Sequence, residues 1–178
     1  SARQGVKRMK NIWIYAEQAA GVLHPVYFEL LGKARELYPQ ENLTAVVLGT
    51  HDANLLISLE KSGVNEIIYA KHNKLASYHP DYYATTLAKL ANTYKPDVIF
   101  LGATAIGSEL APSAAAKLQT GLAAHCVDFS LNDQDLLVAI IPAFGGKLLG
   151  EILIPEKRPA MATVKPGVFP RISHQTAE

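Results

Sequence analysis

Four short apolar runs set the rhythm of the first two thirds of the chain. They are residues 11–16 (NIWIYA), 43–48 (LTAVVL), 66–70 (EIIYA) and 97–101 (DVIFL). Near-continuous runs of this length suit strands buried on both faces of a parallel sheet. Between them the apolar positions fall three and four apart, which predicts helices. Residues 25–37 put Val26, Leu30, Ala34 and Leu37 on one face, and Glu29 and Lys33 are spaced for an i,i+4 pair on the polar side. Residues 52–62 form the next helix, with Asp52 as N-cap and Gly63 as stop. Residues 80–94 follow, with Pro80 in the first turn and a stripe of Tyr83, Leu87, Leu90, Ala91 and Tyr94 expected to be buried. A fourth, alanine-rich helix spans 107–118, where Pro112 is tolerable only near the first turn.

After Gly121 the pattern changes. Residues 126–131, 136–141, 147–154 and 160–164 read as strands separated only by Gly, Pro, Asn and Asp turns. With no helix between them, these strands are expected to pair largely antiparallel. The predicted fold class is α/β: a doubly wound parallel sheet, Rossmann-like and adenine-nucleotide-hydrolase-like, extended by antiparallel strands. Residues 11–165 form a single α/β domain. Residues 1–10, with Arg3, Lys7, Arg8 and Lys10, read as a basic tail or linker, and 166–178, polar and without periodicity, as the start of a linker.

Composition narrows the function classes. The 178 residues are 49% hydrophobic with a net charge of +1, ample for one core and without the basic stripe that nucleic acid requires. A single cysteine, Cys126, excludes a disulfide framework and fits a reducing, cytoplasmic setting. No apolar run approaches the roughly 20 residues of a membrane helix.

The segment most suited to chemistry is residues 102–109 (GATAIGSE), between a buried strand and a helix. Phosphates bind at such places, on free N–H groups of a helix N-terminus. Gly102, Thr104, Gly107 and Ser108 are the candidate cofactor contacts. The outer glycines match P-loop spacing, but a P-loop continues with Lys and Ser/Thr, whereas Ser108 and Glu109 follow here. Glu109 brings negative charge to the phosphate position, so a structural turn is the favoured reading. Gly145 and Gly146 read as a hairpin turn. His125, Cys126 and Asp128 form the one compact group of ligand-type side chains, with Cys126 and Asp128 on one face of a strand and His125 on the other. The group lacks a partner pair at zinc spacing, so no metal site is expected. Nucleophile-elbow and HExxH motifs are both absent, and no catalytic residue is assigned.

The order of segments carries more. Residues 11–17 (NIWIYAE), Gly21 and His24-Pro25, and then 29–34 (ELLGKA), resemble the opening of the electron-transfer flavoprotein alpha subunit. Residues 101–118 (LGATAIGSELAPSAAAKL) resemble that family's central motif, and 142–146 (PAFGG) and 158–169 (RPAMATVKPGVF) its closing motifs. Ser108, Ser113, His125 and Ile141 depart from the residues the family often carries there.

The resemblance implies the N-terminal scaffold domain of an alpha subunit in a flavin-dependent electron carrier, not a classical enzyme. It implies a heterodimer with a beta subunit that serves flavin dehydrogenases. FAD would be held by an absent second domain beyond the linker, with no cofactor in this chain. Pro142, Phe144, Gly145, Gly146, Met161 and Thr163 are the expected partner interface. The alternatives are a stand-alone adenine-nucleotide-binding domain of the same fold class and a hydrolase. The nucleotide binder would need a Gly/Ser-rich loop after the first strand, where this chain has Glu17-Gln18-Ala19-Ala20-Gly21.

Overall fold

The computed structural model describes residues 7–153 and 158–171. The first strand, β1 (Asn11–Tyr15), leads into a two-strand hairpin, β2 (Gln18–Ala19) and β3 (Val22–Leu23). Helix α1 (Pro25–Leu37), β4 (Asn42–Gly49), α2 (Ala53–Lys61), β5 (Glu66–Lys71), α3 (Pro80–Tyr94), β6 (Val98–Gly102) and α4 (Ala105–Leu118) follow. The remaining strands are β7 (Leu122–Cys126), β8 (Asp128–Leu131), β9 (Leu137–Ala143), β10 (Leu148–Leu153) and β11 (Ala160–Val164).

The main sheet has the order β5-β4-β1-β6-β11-β7, and every neighbouring pair in it is parallel. Alternation along β1 builds the two layers. Ile12 and Ile14 pack with Val26, Leu30, Leu55 and Leu59 of α1 and α2. Trp13 and Tyr15 face the other way, with Leu87 of α3 and Leu110 of α4. Such a sheet, covered on both faces, needs apolar residues at successive positions, which is why its strands read as continuous runs. β8, β9 and β10 form a separate antiparallel sheet. Phe129, Leu137 and Ala139 join it to the α1 side of the core.

Several expectations change. Residues 160–164 do not extend the antiparallel ladder: β11 lies between β6 and β7 and parallel to both. The small sheet does the work of a crossover helix, carrying the chain from β7 back to β11. Residues 126–131 are not one strand, because the chain breaks at Val127, whose N–H bonds the Ile140 carbonyl instead. α4 begins at Ala105, which leaves Pro112 in its interior. Tyr94 is exposed, and Ala84 and Ala88 take its place in the buried face of α3. Glu29 does not pair with Lys33; it is buried and accepts the Gly167 N–H at 2.7 Å. Lys33 pairs with Glu36 and Asp128.

The basic start of the chain is bonded to the domain from residue 7 onward. Lys7 meets Asp135 at 2.7 Å and Arg8 meets Asp97 at 2.6 Å, while the Lys10 N–H donates to Glu41. Arg3 lies outside the described residues. At the other end, Gly167 bonds Glu29 and Val168 and Phe169 pack on the core, so the stretch read as a linker from residue 166 includes residues of the folded body.

Candidate functional site

In doubly wound sheets, ligands bind beyond the carboxyl ends of the strands, where the strand order reverses. Here β4 and β5 lie on one side of β1 and β6 on the other, so the crevice opens between the ends of β1 and β6. Glu17 follows β1, and residues 102–109 follow β6. Gly102, Thr104, Gly107 and Ser108 are therefore brought together where sequence reasoning put them.

Thr104 is the N-cap of α4, and its Oγ1 accepts the Gly107 N–H at 2.9 Å. The same hydroxyl donates to Glu17 Oε1 at 2.5 Å. Ionised carboxylates only accept, so the single hydroxyl proton points at Glu17. One turn into the helix, Glu109 accepts the Tyr78 hydroxyl at 2.7 Å. The Tyr78 phenol is held well above its ordinary range by burial first, then by the bond to Glu109 and the charges of Glu109 and Glu17. Tyr15, deeper in the same wall, is raised by burial, with smaller contributions from Tyr83, Glu17 and Tyr78.

The two glycines have packing reasons. A Cβ on Gly107 would stand 1.8 Å from the Gly102 carbonyl oxygen, and one on Gly102 would stand 2.4 Å from Val26 Cγ1. Close approach of α1 and α4 to the end of β6 requires both to lack side chains. The turn is an α/β junction whose cap hydroxyl is already bonded, with the Glu17 carboxylate on Thr104 and the Glu109 carboxylate on Tyr78.

The loop after β1 is closed as well. Gln18 donates to the Leu48 carbonyl and accepts the Gly21 N–H, pinning the β2–β3 hairpin over the strand ends. Asp52 sits against Gly21 and caps α2 through the Leu55 N–H. Sequence reasoning missed Tyr78 and the bonded role of Glu17. Glu17 was accessible, being two residues past β1; Tyr78 comes from an irregular loop that no periodicity marks.

His125, Cys126 and Asp128 do not converge. His125 has φ 55° and is exposed, Cys126 is buried, and Asp128 is exposed and paired with Lys33. The bend at Val127 turns Cys126 and Asp128 to different surroundings. Burial pushes the Cys126 thiol up to about 12. Among the described residues no group of three His, Cys, Asp or Glu side chains could hold a metal, and no helix is long and apolar enough to cross a membrane.

The expected interface splits in two. Met161 and Thr163 are buried in β11, inside the main sheet, and cannot face a partner. Pro142, Gly145 and Gly146 are exposed on the β9–β10 hairpin. The side chain of Phe144 lies outside the described residues. Gly145 and Gly146 have φ of 67° and 83° and form the turn. Pro142 lies past the last β8 partner, Asp128 opposite Ile140, so its missing N–H leaves no gap in the ladder. The outward face of this sheet mixes apolar and polar side chains: Val138 stands between Leu153 and Ser130, Ile140 between Glu151 and Asp128, and Pro142 opposite Leu149, which is 68% exposed.

Comparison with known proteins places these features in context. Residues 12–178 match the family described as electron transfer flavoprotein domain. The electron transfer flavoprotein subunit alpha of Thermoanaerobacterium thermosaccharolyticum is 45% identical over 165 residues, covering 91% of this chain and 50% of that protein. The subunit of the same name from Clostridium acetobutylicum is 42% identical, over 92% of this chain and 49% of that protein. The acryloyl-CoA reductase electron transfer subunit beta of Anaerotignum propionicum is 33% identical over 92% of this chain and 52% of its own length. The chain thus spans about half the length of the curated relatives it matches.

Proposed function

Because the chain belongs to the electron transfer flavoprotein family, we propose that it is the scaffold half of an alpha subunit and holds no flavin itself. The observation that carries this reading is the closed crevice: Thr104 bonded to Glu17, and Glu109 to Tyr78. A bound dinucleotide needs free N–H donors and positive potential around its pyrophosphate. This crevice offers a capped helix end and carboxylates. FAD is then the cargo of the other half of the protein, and the whole is a cytoplasmic electron carrier that draws on flavin dehydrogenases.

The beta subunit is the partner in this account. Its seat is the outward face of β9 and β10, where Val138, Ile140, Pro142, Leu149 and Leu153 stand around Glu151. Apolar side chains clustered on an exposed sheet face mark an interaction site more often than scattered ones do. The test is co-elution of this chain with purified beta subunit on size exclusion. Leu149→Asp should abolish co-elution while leaving the melting temperature of the isolated chain unchanged. Separate elution of the unsubstituted chain at micromolar concentrations would remove the interface.

A further inference from the structure

Residues 72–79 run from the end of β5 to the start of α3, and a histidine stands at each end of them. His72 caps the short turn Asn73–Leu75, where its Nδ1 accepts the Lys74 N–H at 3.1 Å. His79 caps α3, where its Nδ1 accepts the Tyr82 N–H at 3.5 Å. Both histidines are exposed, so protons reach them freely. Between the caps the segment is held at two points. Leu75 is buried, and its carbonyl accepts the Tyr83 hydroxyl at 2.7 Å. Tyr78 stands edge-on to the Tyr83 ring at 5.0 Å and donates to Glu109 at 2.7 Å. The segment is thus a strap that lays Tyr78 against the first turns of α4.

An Nδ1 that accepts a hydrogen bond belongs to a neutral imidazole with its proton on Nε2. Imidazolium carries a proton on both nitrogens and cannot accept. At His79 it would also set positive charge against the positive end of a helix. Histidine changes charge between about pH 5 and pH 8, so both caps are lost within one narrow range. Most of the surrounding charge acts in the same sense. Lys71 and Lys74 flank His72, and Lys71 Nζ lies 3.5 Å from His51 Nδ1. Lys74 Nζ lies 5.0 Å over the Tyr82 ring, which in turn is 4.5 Å from the His79 ring. Asp81, in the first turn of α3, is the opposing carboxylate. It is exposed, and an exposed ion pair contributes too little to replace a lost cap. Behind the strap, Glu109 and Glu17 act on the Tyr78 phenol.

We propose that residues 72–79 are a pH-sensitive strap, shut by the neutral imidazoles of His72 and His79 and released when both take up protons. Protons favour the open form, so closure is complete at the alkaline end of the range and lost as pH falls through it. Release withdraws Tyr78 from Glu109 and uncovers the α4 side of the crevice. The device goes beyond the scaffold reading and does not depend on it.

Amide hydrogen exchange followed by NMR, corrected for the intrinsic pH dependence of exchange, tests this on the chain as it stands. The Leu75 and Ala76 N–H groups report on the strap without touching an imidazole, since they bond the His72 and Asn73 carbonyls at 2.9 and 3.2 Å. Their protection should fall about tenfold or more between about pH 8 and about pH 5.5, while that of Val46 and Val47 in β4 stays constant. The Tyr78 ring signals should move over the same range. Asparagine caps as well as aspartate but does not titrate. The double variant His72→Asn/His79→Asn should therefore hold its protection across the range. His24→Asn, which replaces the cap of α1, should leave the response in place. Constant protection in the unsubstituted chain, a fall that persists in the double variant, a fall shared equally by Val46 and Val47, or Tyr78 ring signals that stay fixed would each overturn the proposal.

Discussion

The hydroxyl of Thr104 donates to the carboxylate of Glu17 at 2.5 Å, joining the end of β6 to the end of β1 across 87 positions of sequence. The same oxygen caps α4. One side chain thus closes the helix end that a phosphate would use and ties it to an anion.

Thr104→Val should remove both bonds while keeping the shape. Loss of an N-cap and of a partly buried hydrogen bond together should destabilise by about 1–3 kcal/mol. Thr104→Ser should recover most of it. Urea denaturation of the three proteins checks this.

Gly102→Ala should push a methyl group into Val26, whose Cγ1 stands 2.4 Å from the Cβ position. Overpacking of this kind destabilises by about 1–3 kcal/mol. Val26→Ala should relieve the clash, so the double variant should be more stable than the sum of the two single changes predicts. Additive losses in a thermal-melt cycle would mean that the glycine is there for another reason.

Three helical turns start on histidine caps, at His24, His72 and His79. The His79 Nδ1 accepts the Tyr82 N–H at a long 3.5 Å. Aspartate caps better and favours the helix dipole. His79→Asp should therefore raise stability by about 0.5–1 kcal/mol, seen as a higher melting temperature.

Alkaline pH should weaken the fold in a defined window. Burial raises the Cys126 thiol from 9.0 to about 12, and raises the Tyr27 phenol from 10.0 to about 12 against the lowering effect of its hydrogen bond with Ser62. Above pH 9 the native chain keeps protons that the unfolded chain releases. Unfolding then becomes easier with each step in pH. The contribution is complete below pH 9 and lost as pH climbs to 12. Urea midpoints measured from pH 8 to pH 12 should fall across that window, and a flat profile would contradict the burial of both groups.

Much of this architecture was legible in the chain. The four strand runs of the first two thirds, the Asp52 cap, the Gly145-Gly146 turn and the strand–turn–helix at 102–107 each follow from local chemistry that the fold keeps. The placement of β11 was misread, because the absence of a preceding helix suggests antiparallel pairing, whereas here a small sheet makes the crossover. The run AMATV is apolar at every position but one and buried throughout, as the strand DVIFL is, and that pattern belongs to a parallel interior strand. β7 was missed because Leu122-Ala123-Ala124-His125 carries little β-branched or aromatic character. The crevice was half legible: Glu109 was read as hostile to phosphate, but its bond to Tyr78 and that of Thr104 to Glu17 join residues 31 and 87 positions apart. Pairings over such distances depend on topology and leave no local mark.

The most direct test of the scaffold reading is flavin retention by the purified chain. The protein is incubated with excess FAD, desalted and scanned at roughly 450 nm, where a protein-held flavin absorbs. A colourless protein is predicted, since the crevice between β1 and β6 is capped by Thr104 and faced by Glu17 and Glu109. One flavin retained per chain would contradict the account.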